Sequence, residues 1–389
     1  MRDIIICKKC IQPNTRPGIF FDENGICGAC QWKEKEKRID WEKRRKELFK
    51  IANWAKEQKK SNYDCVIGVS GGKDSTMQAI VARDELDLHC LLVNYEPEGI
   101  TEIGKQNIEN LKNLGFDVIT IRPNPKIMKK LVRYDFLNHL NPIKVTEFSL
   151  YSSTYIIAEK FDIPLIIQGE NPGLTYGTSK TGVGTDSNAL NAEKLQTLSA
   201  GWEEYLLDEE EVKERDLFFF HYDRERLERK NIRGIWLNYF LKEWSIPGNA
   251  EFSKNYGLKT RSLSFDPHSI GTYIVEGSHP GTYAQLDTDL TQVNQLLKFI
   301  KFGFGLCMDH ACHDLRENII SKKDAYNLVK KYDGKCSEEY IRKFCDYIDI
   351  SMEKFWETVE SFRGEMWEKD IDGKWKNLIW QELDSVFNE

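Results

Sequence analysis

Two short stretches hold residue types whose spacing could do chemistry. The first is four cysteines, Cys7, Cys10, Cys27 and Cys30, in the pattern C-x2-C-x16-C-x2-C. Each C-x-x-C turn aims two thiolates at one point, and two such knuckles complete a closed tetrahedral shell, the donor set of a structural zinc. The residues between, with Pro13, Pro17, Gly18, Gly25 and Gly28, are rich in turns and poor in core, so a metal would supply most of their stability. Four thiolates would also suit an iron–sulfur cluster. Because a closed shell leaves no coordination position open, the expected role is structural.

The second stretch is GVSGGKDS, Gly68 to Ser75, after an apolar run and before a helical pattern. Gly71 and Gly72 let backbone N–H groups come close to an anion, and a helix N-terminus adds partial positive charge. Ser70 and Ser75 bring hydroxyls and Lys73 a cation, while Asp74 could cap the helix or help hold a metal. This is not a Walker A loop, since three residues, not four, separate Gly68 from Gly72 and Asp74 stands where Ser or Thr belongs. The dinucleotide pattern G-x-G-x-x-G also fails. The loop reads as a phosphate cradle of another kind.

These residues need elements to position them. The chain has 389 residues, 40% apolar and 12% aromatic, ample for a large core. From residue 61 strands and helices alternate: "DCVIGV", a helix from Asp74 to about Glu85, "LHCLLVNY", a helix from Thr101 to Leu114, "FDVITI", helices at Ile127 to Leu140 and Glu147 to Lys160, then "IPLIIQG". Near-continuous apolar strands alternating with helices predict an α/β fold with a parallel doubly wound sheet. The expected order is a zinc ribbon over 1–35, a linking helix over 36–60 and an α/β domain carrying the phosphate loop over 61–180. An inserted substrate lobe over 181–300 and a helical C-terminal region over 301–389 complete it. In the charged amphipathic segment 31–60, Trp41, Leu48, Ile51, Ala52 and Ala55 fall near one stripe. That is a packing or dimerisation element and leaves a homodimer open.

A net charge of −7 argues against nucleic acid as the main partner, because counterion release favours basic surfaces. No segment has the apolar length of a membrane span, and "MRDIIICKKC" is no signal peptide. The expected location is cytoplasmic, where ten cysteines are read as metal or packing and not as disulfides.

SGGKDS resembles the SGGxDS signature of the N-type ATP pyrophosphatases, enzymes of the adenine-nucleotide α-hydrolase-like fold. Four segments are similar to the N-acetyl sugar amidotransferases within that superfamily: "CKKCIQPNTRPGIFFDENGICGAC", "GVSGGKDS", "TEIGKQN" (Thr101 to Asn107) and "KFGFGLCMDHACHDLREN" (Lys301 to Asn318). "SKNYGLK" (Ser253 to Lys259) is a looser anchor. The resemblance implies ATP and Mg2+, with pyrophosphate held by the loop and Lys73 and Asp74 in the chemistry. The reaction implied is conversion of an N-acetyl group on a nucleotide-activated sugar (a nonulosonic or uronic acid) to an acetamidino group, through an O-adenylyl imidate. Such chemistry serves surface polysaccharide and flagellin glycan synthesis. The sequence departs from the family where Leu306, Cys307 and Met308 replace an Arg-Ala-Thr-like run. An anion held there in relatives must be held otherwise here.

Open α/β sheets bind ligands beyond the carboxyl ends of their strands, which nominates Val93 and Asn94, then Gln168, Gly169 and Glu170, for ATP. Glu170 would hold Mg2+, orient ammonia, or lie in a solvated loop. Cys307, His310, Cys312 and His313 lie too close along one helix to converge on one ion, whereas Asp309, Asp314 and Arg316 are candidates to reach substrate. No cysteine stands in a glutaminase-like context, so ammonia is expected free or from a separate glutaminase subunit. The competing readings are a tRNA thiolase, which combines such a loop with Cys-x-x-Cys knuckles, and an ATP-binding scaffold without turnover.

Overall fold

The computed structural model describes residues 3–58, 60–178, 184–192 and 212–388. Its centre is a five-stranded, all-parallel sheet of order β3-β2-β1-β4-β5, with β1 Cys65–Val69, β2 Cys90–Tyr95, β3 Asp117–Ile121, β4 Leu165–Gln168 and β5 Arg233–Trp236. Alternate residues of the central strands enter two cores. Cys65, Ile67 and Val69 pack against α2 (Trp41–Gln58), α3 (Lys73–Ile80) and α4 (Glu102–Asn113). Val66, Val93 and Ile166 pack against α6 (Lys144–Lys160), whose Tyr155 is fully buried. Burial on both faces is why these strands read as unbroken apolar runs. β3 lies at an edge and is correspondingly more polar and exposed.

Strand order reverses between β1 and β4, and the loops after both strands meet at that point. This is where a doubly wound sheet opens its ligand crevice.

The segment 31–60 is two helices, α1 (Gly28–Glu36) and α2. The Asp40 carboxylate accepts from Lys43 N at 2.9 Å, so a side-chain cap starts a new helix where the stripe looked continuous. Residues 181–300 are not wholly an inserted lobe, for they supply β5, a short run that continues the main sheet beside β4. Of the charged stretch 203–216, residues 203–211 lie outside the described residues, and Glu214–Leu217 form a short 3-10 turn. The C-terminal region is helical as expected, with a two-stranded hairpin, β6 (Trp367–Lys369) and β7 (Trp375–Asn377), between its last helices. Among the described residues no helix is long and apolar enough to cross a membrane.

Candidate active site

After β1 the chain turns through Gly71 at φ +77°. A Cβ there would sit 3.0 Å from Gly104 O and 3.1 Å from Asn107 Cβ. Only glycine both adopts the turn and clears α4. Gly72 is the N-cap of α3 and has no side chain to satisfy the first-turn N–H groups, which leaves them for an anion. Ser75 Oγ and Thr76 Oγ1 donate to Gly72 O at 3.2 and 2.9 Å and hold the cradle's rim. Lys73 Nζ lies 2.8 Å from Asp74 Oδ2, and Asn249 Nδ2 donates to Asp74 Oδ1 at 2.7 Å. Ser253 Oγ donates to Lys73 O at 2.6 Å.

The segments singled out in the sequence converge on this loop. Thr101 Oγ1 accepts from Gly104 N at 2.9 Å and donates to Leu286 O, fixing the start of α4 beside Gly71. Asn107 donates to Lys259 O at 3.1 Å and accepts from Lys259 N at 2.7 Å. "TEIGKQN" and "SKNYGLK" thus brace the cradle without entering the cavity.

That cavity is about 420 Å3 and opens at the strand-order reversal. One wall is Gly68, Ser70, Asp74, Ser75 and Gln78; another is Gln168, Gly169 and Glu170; the far wall is Arg16, Asn294, Gln295, Lys298, Phe304 and Asp309. Val93 and Asn94 do not border it. Val93 is buried in the core under α6, and Asn94 pairs in register with Val69. Gly71, Gly72 and Lys73 stand behind the rim and not on the cavity wall.

Burial pushes the Glu170 carboxyl up to about 7; the Asp74 charge adds to this, and Lys73 and the Tyr176 hydroxyl oppose it. A carboxyl so placed exchanges a proton near neutral pH. At the far wall Asp309 bonds Arg16, and Lys298 Nζ reaches it at 2.7 Å. Burial alone would raise Asp309, but these two cations hold it below the usual carboxylate range. Burial in turn lowers Lys298, which is 6% exposed. Two cations on one carboxylate leave this end positive. The Arg16 guanidinium also lies 4.8–4.9 Å from the ring centres of Tyr176 and Phe304, stacked at close to optimal cation–π range.

Asp309, a candidate from the sequence, therefore faces the cavity, but Asp314 does not line it: it accepts from Tyr273 OH at 2.5 Å and from Ser278 Oγ. Arg316 and His313 border a separate small cavity. His310 Nδ1 is 2.6 Å from Thr272 Oγ1. Sequence reasoning missed Arg16, Gln78, Asn294, Gln295 and Lys298. A signal existed for two of them: Asn294 and Lys298 are polar residues one turn apart in the helix Leu290–Phe302, buried there among Leu290, Val293 and Leu297.

The four N-terminal cysteines are buried, with their sulfurs all within 4.8 Å of one another. Cys7 to Cys30 is 3.9 Å and Cys10 to Cys27 is 3.7 Å. A tetrahedron with metal–sulfur bonds of about 2.3 Å has edges of about 3.8 Å, so the spacing fits a single ion. A disulfide would be far shorter, and a cluster of several irons would hold the sulfurs farther apart. The knuckles pack on the helix Leu306–Arg316 through Cys307, Met308, Ala311 and Cys312. Thr15 Oγ1 donates to Phe302 O at 2.7 Å. The ribbon thereby carries Arg16 to the cavity.

Residues 272–381 match the family described as "LPS biosynthesis protein WbpG-like, C-terminal domain". Among curated proteins no match is found. Of solved structures, "Structure of NMN synthetase from Francisella tularensis" is similar over 50% of this chain and 96% of its own, at 16% identity and a TM-score of 0.28. The matched C-terminal segment includes the whole far wall except Arg16, from Asn294 to Asp309.

Proposed function

We propose that the chain is an ATP-dependent amidotransferase that converts the N-acetyl group of a nucleotide-activated sugar to an acetamidino group, in lipopolysaccharide or related glycan synthesis. One observation carries it: Ser70, Asp74 and Ser75 of the loop and the buried Glu170 line one cavity whose other end holds Arg16 and Lys298. The C-terminal family match supports the polysaccharide context.

In this reading the acetamide oxygen attacks the α-phosphorus of ATP, an O–P bond forms, and the bond to pyrophosphate breaks. The Ser70, Asp74 and Ser75 side of the loop would border the pyrophosphate, and the start of α3 and the Lys73 ammonium, behind the rim, would add positive potential as charge gathers there. Asp74, a hard oxygen donor on the cavity wall, would hold Mg2+ together with the phosphates, and the ion would supply charge neutralisation to them. Ammonia then adds at the imidate carbon; the C–O bond breaks, AMP leaves with its electron pair, and the added nitrogen gives up a proton. Arg16 and Lys298 receive the acceptor's anionic part, a task the cation missing at 306–308 would otherwise perform. The four cysteines fit structural zinc by donor set and spacing.

The reaction is tested by incubating protein, ATP, Mg2+ and ammonium with a panel of CMP- and UDP-linked N-acetyl sugars. Sugar-dependent pyrophosphate and a product with one oxygen replaced by NH are expected; pyrophosphate release that depends on tRNA instead would favour thiolation.

A further inference from the structure

Beside the large cavity lies a second of about 50 Å3, lined by Trp32, Lys33 and Glu36 of α1, by Trp244 and Ile246, and by His313, Arg316 and Glu317 of the C-terminal region. Glu170 borders both cavities. Gly169, next to it, separates Gln78 of the large cavity from Trp244 of the small one: a Cβ on Gly169 would lie 2.3 Å from Gln78 Nε2 and 3.2 Å from Trp244 Cη2. Glu170 is thus the one residue the two linings share, and beside it Gly169 leaves no room for a side chain between Gln78 and Trp244.

We infer that the small cavity is the port through which ammonium reaches the adenylated acceptor, delivered across Glu170. The inference rests on the amidotransferase reading and adds to it the route of the nucleophile.

Size decides what can pass. A water occupies at least about 10–15 Å3 of such a space, so this cavity takes a few molecules of water or ammonia and excludes glutamine, sugars and nucleotides. Its chemistry suits a small cation. Three carboxylates (Glu36, Glu170 and Glu317) face two cations, Lys33 and Arg316. Lys33 Nζ is already engaged by Glu317 at 2.9 Å and Glu36 at 3.2 Å. The indoles of Trp32 and Trp244 add π-faces, to which ammonium is attracted. His313 supplies an independent sign. It is 8% exposed, and its Nδ1 has no hydrogen-bond partner among the described residues, a costly state for a buried polar atom unless a small polar molecule visits.

The proton balance closes at the shared wall. Ammonium gives one proton to the Glu170 carboxylate, freeing the nitrogen lone pair, and that proton returns to solvent through the port. The ammonia forms the C–N bond as described above, and its remaining surplus proton follows the same path after AMP departs.

The test uses the full-length protein with ATP, Mg2+ and an accepted nucleotide sugar. Ile246→Trp fills the port from its rim, while Ile246→Ala leaves it open. Ile246→Trp should raise the KM for ammonium roughly tenfold or more, with the KM for ATP and acceptor-dependent pyrophosphate exchange unchanged; Ile246→Ala should behave as wild type. Trp244→Ala enlarges the port and should gain use of methylamine, seen as a product heavier by one CH2. This variant decides the matter if Ile246→Trp does not fold. If wild type makes the amidine while Ile246→Trp keeps its ammonium KM and Trp244→Ala gains no methylamine product, the port is overturned and the reaction stands. If wild type makes no amidine from ammonium at all, it is the proposed function that fails.

Discussion

Glu170 sits at a strand end where the fold offers ligands a place, and the sequence nominated it on that ground alone. Its displaced acidity was not legible, because it arises from burial and from Asp74, which is 96 residues away along the chain. The native carboxyl titrates at about 7 against 4.5 when unperturbed, so the folded state binds the proton more tightly. The penalty for ionising it accumulates as pH rises from the lower value to the higher and is complete above that. Glu170→Gln should therefore match wild-type stability near pH 4 and exceed it above pH 7 by about 1–3 kcal/mol, while acceptor turnover falls. Thermal midpoints across pH check this; a variant no more stable at pH 8 would remove the argument for a strained carboxyl. Arg16 was visible only as part of the segment that resembles the family, because its role depends on Asp309 and Lys298, distant in sequence. Removing it takes one of the two cations from Asp309 and a stack from Tyr176 and Phe304, so Arg16→Ala should cost about 1–3 kcal/mol. Arg16→Lys keeps a cation beside Asp309 and should recover stability but not the KM for acceptor. Recovery of both would mean that any cation there suffices.

At the scale of elements, the strands of the sheet were readable because burial on both faces writes continuous apolar runs. β5 was not: four residues, "RGIW", are too few to carry a period, and pairing with β4 decides their state. The break between α1 and α2 was hidden because Asp40 looked like one more charge in a charged helix. The loop's geometry was legible from its glycines. Gly71→Ala must place a side chain at positive φ against backbone of α4, and a loss of at least about 1–2 kcal/mol is expected, read from denaturant midpoints, together with weaker ATP binding. The ribbon makes a separable prediction. Since it holds Arg16 and the cradle belongs to the sheet, Cys30→Ser or zinc chelation should raise the KM for acceptor and lower the thermal midpoint before ATP binding is lost. Equal loss of both would mean that the ribbon supports the whole site.

Over the whole molecule, one cavity is built from four distant parts of the chain: the cysteine-knuckle segment, the sheet's carboxyl edge, the helix Leu290–Phe302 with its successor, and the first turns of the helix Lys144–Lys160. The sequence showed the first two and only the motif residues of the third, because a cavity wall made of helix side chains has no local signature. The acidic surface remains consistent with a small anionic substrate met by few local cations, here Arg16 and Lys298. The most direct measurement of the central claim is the identity of the products from ATP in the presence of an accepted sugar. AMP and pyrophosphate, in equal amounts and abolished by replacing Lys73 and Asp74 together with alanine, are the result this account predicts. ADP and orthophosphate, or turnover untouched by that double replacement, would contradict it.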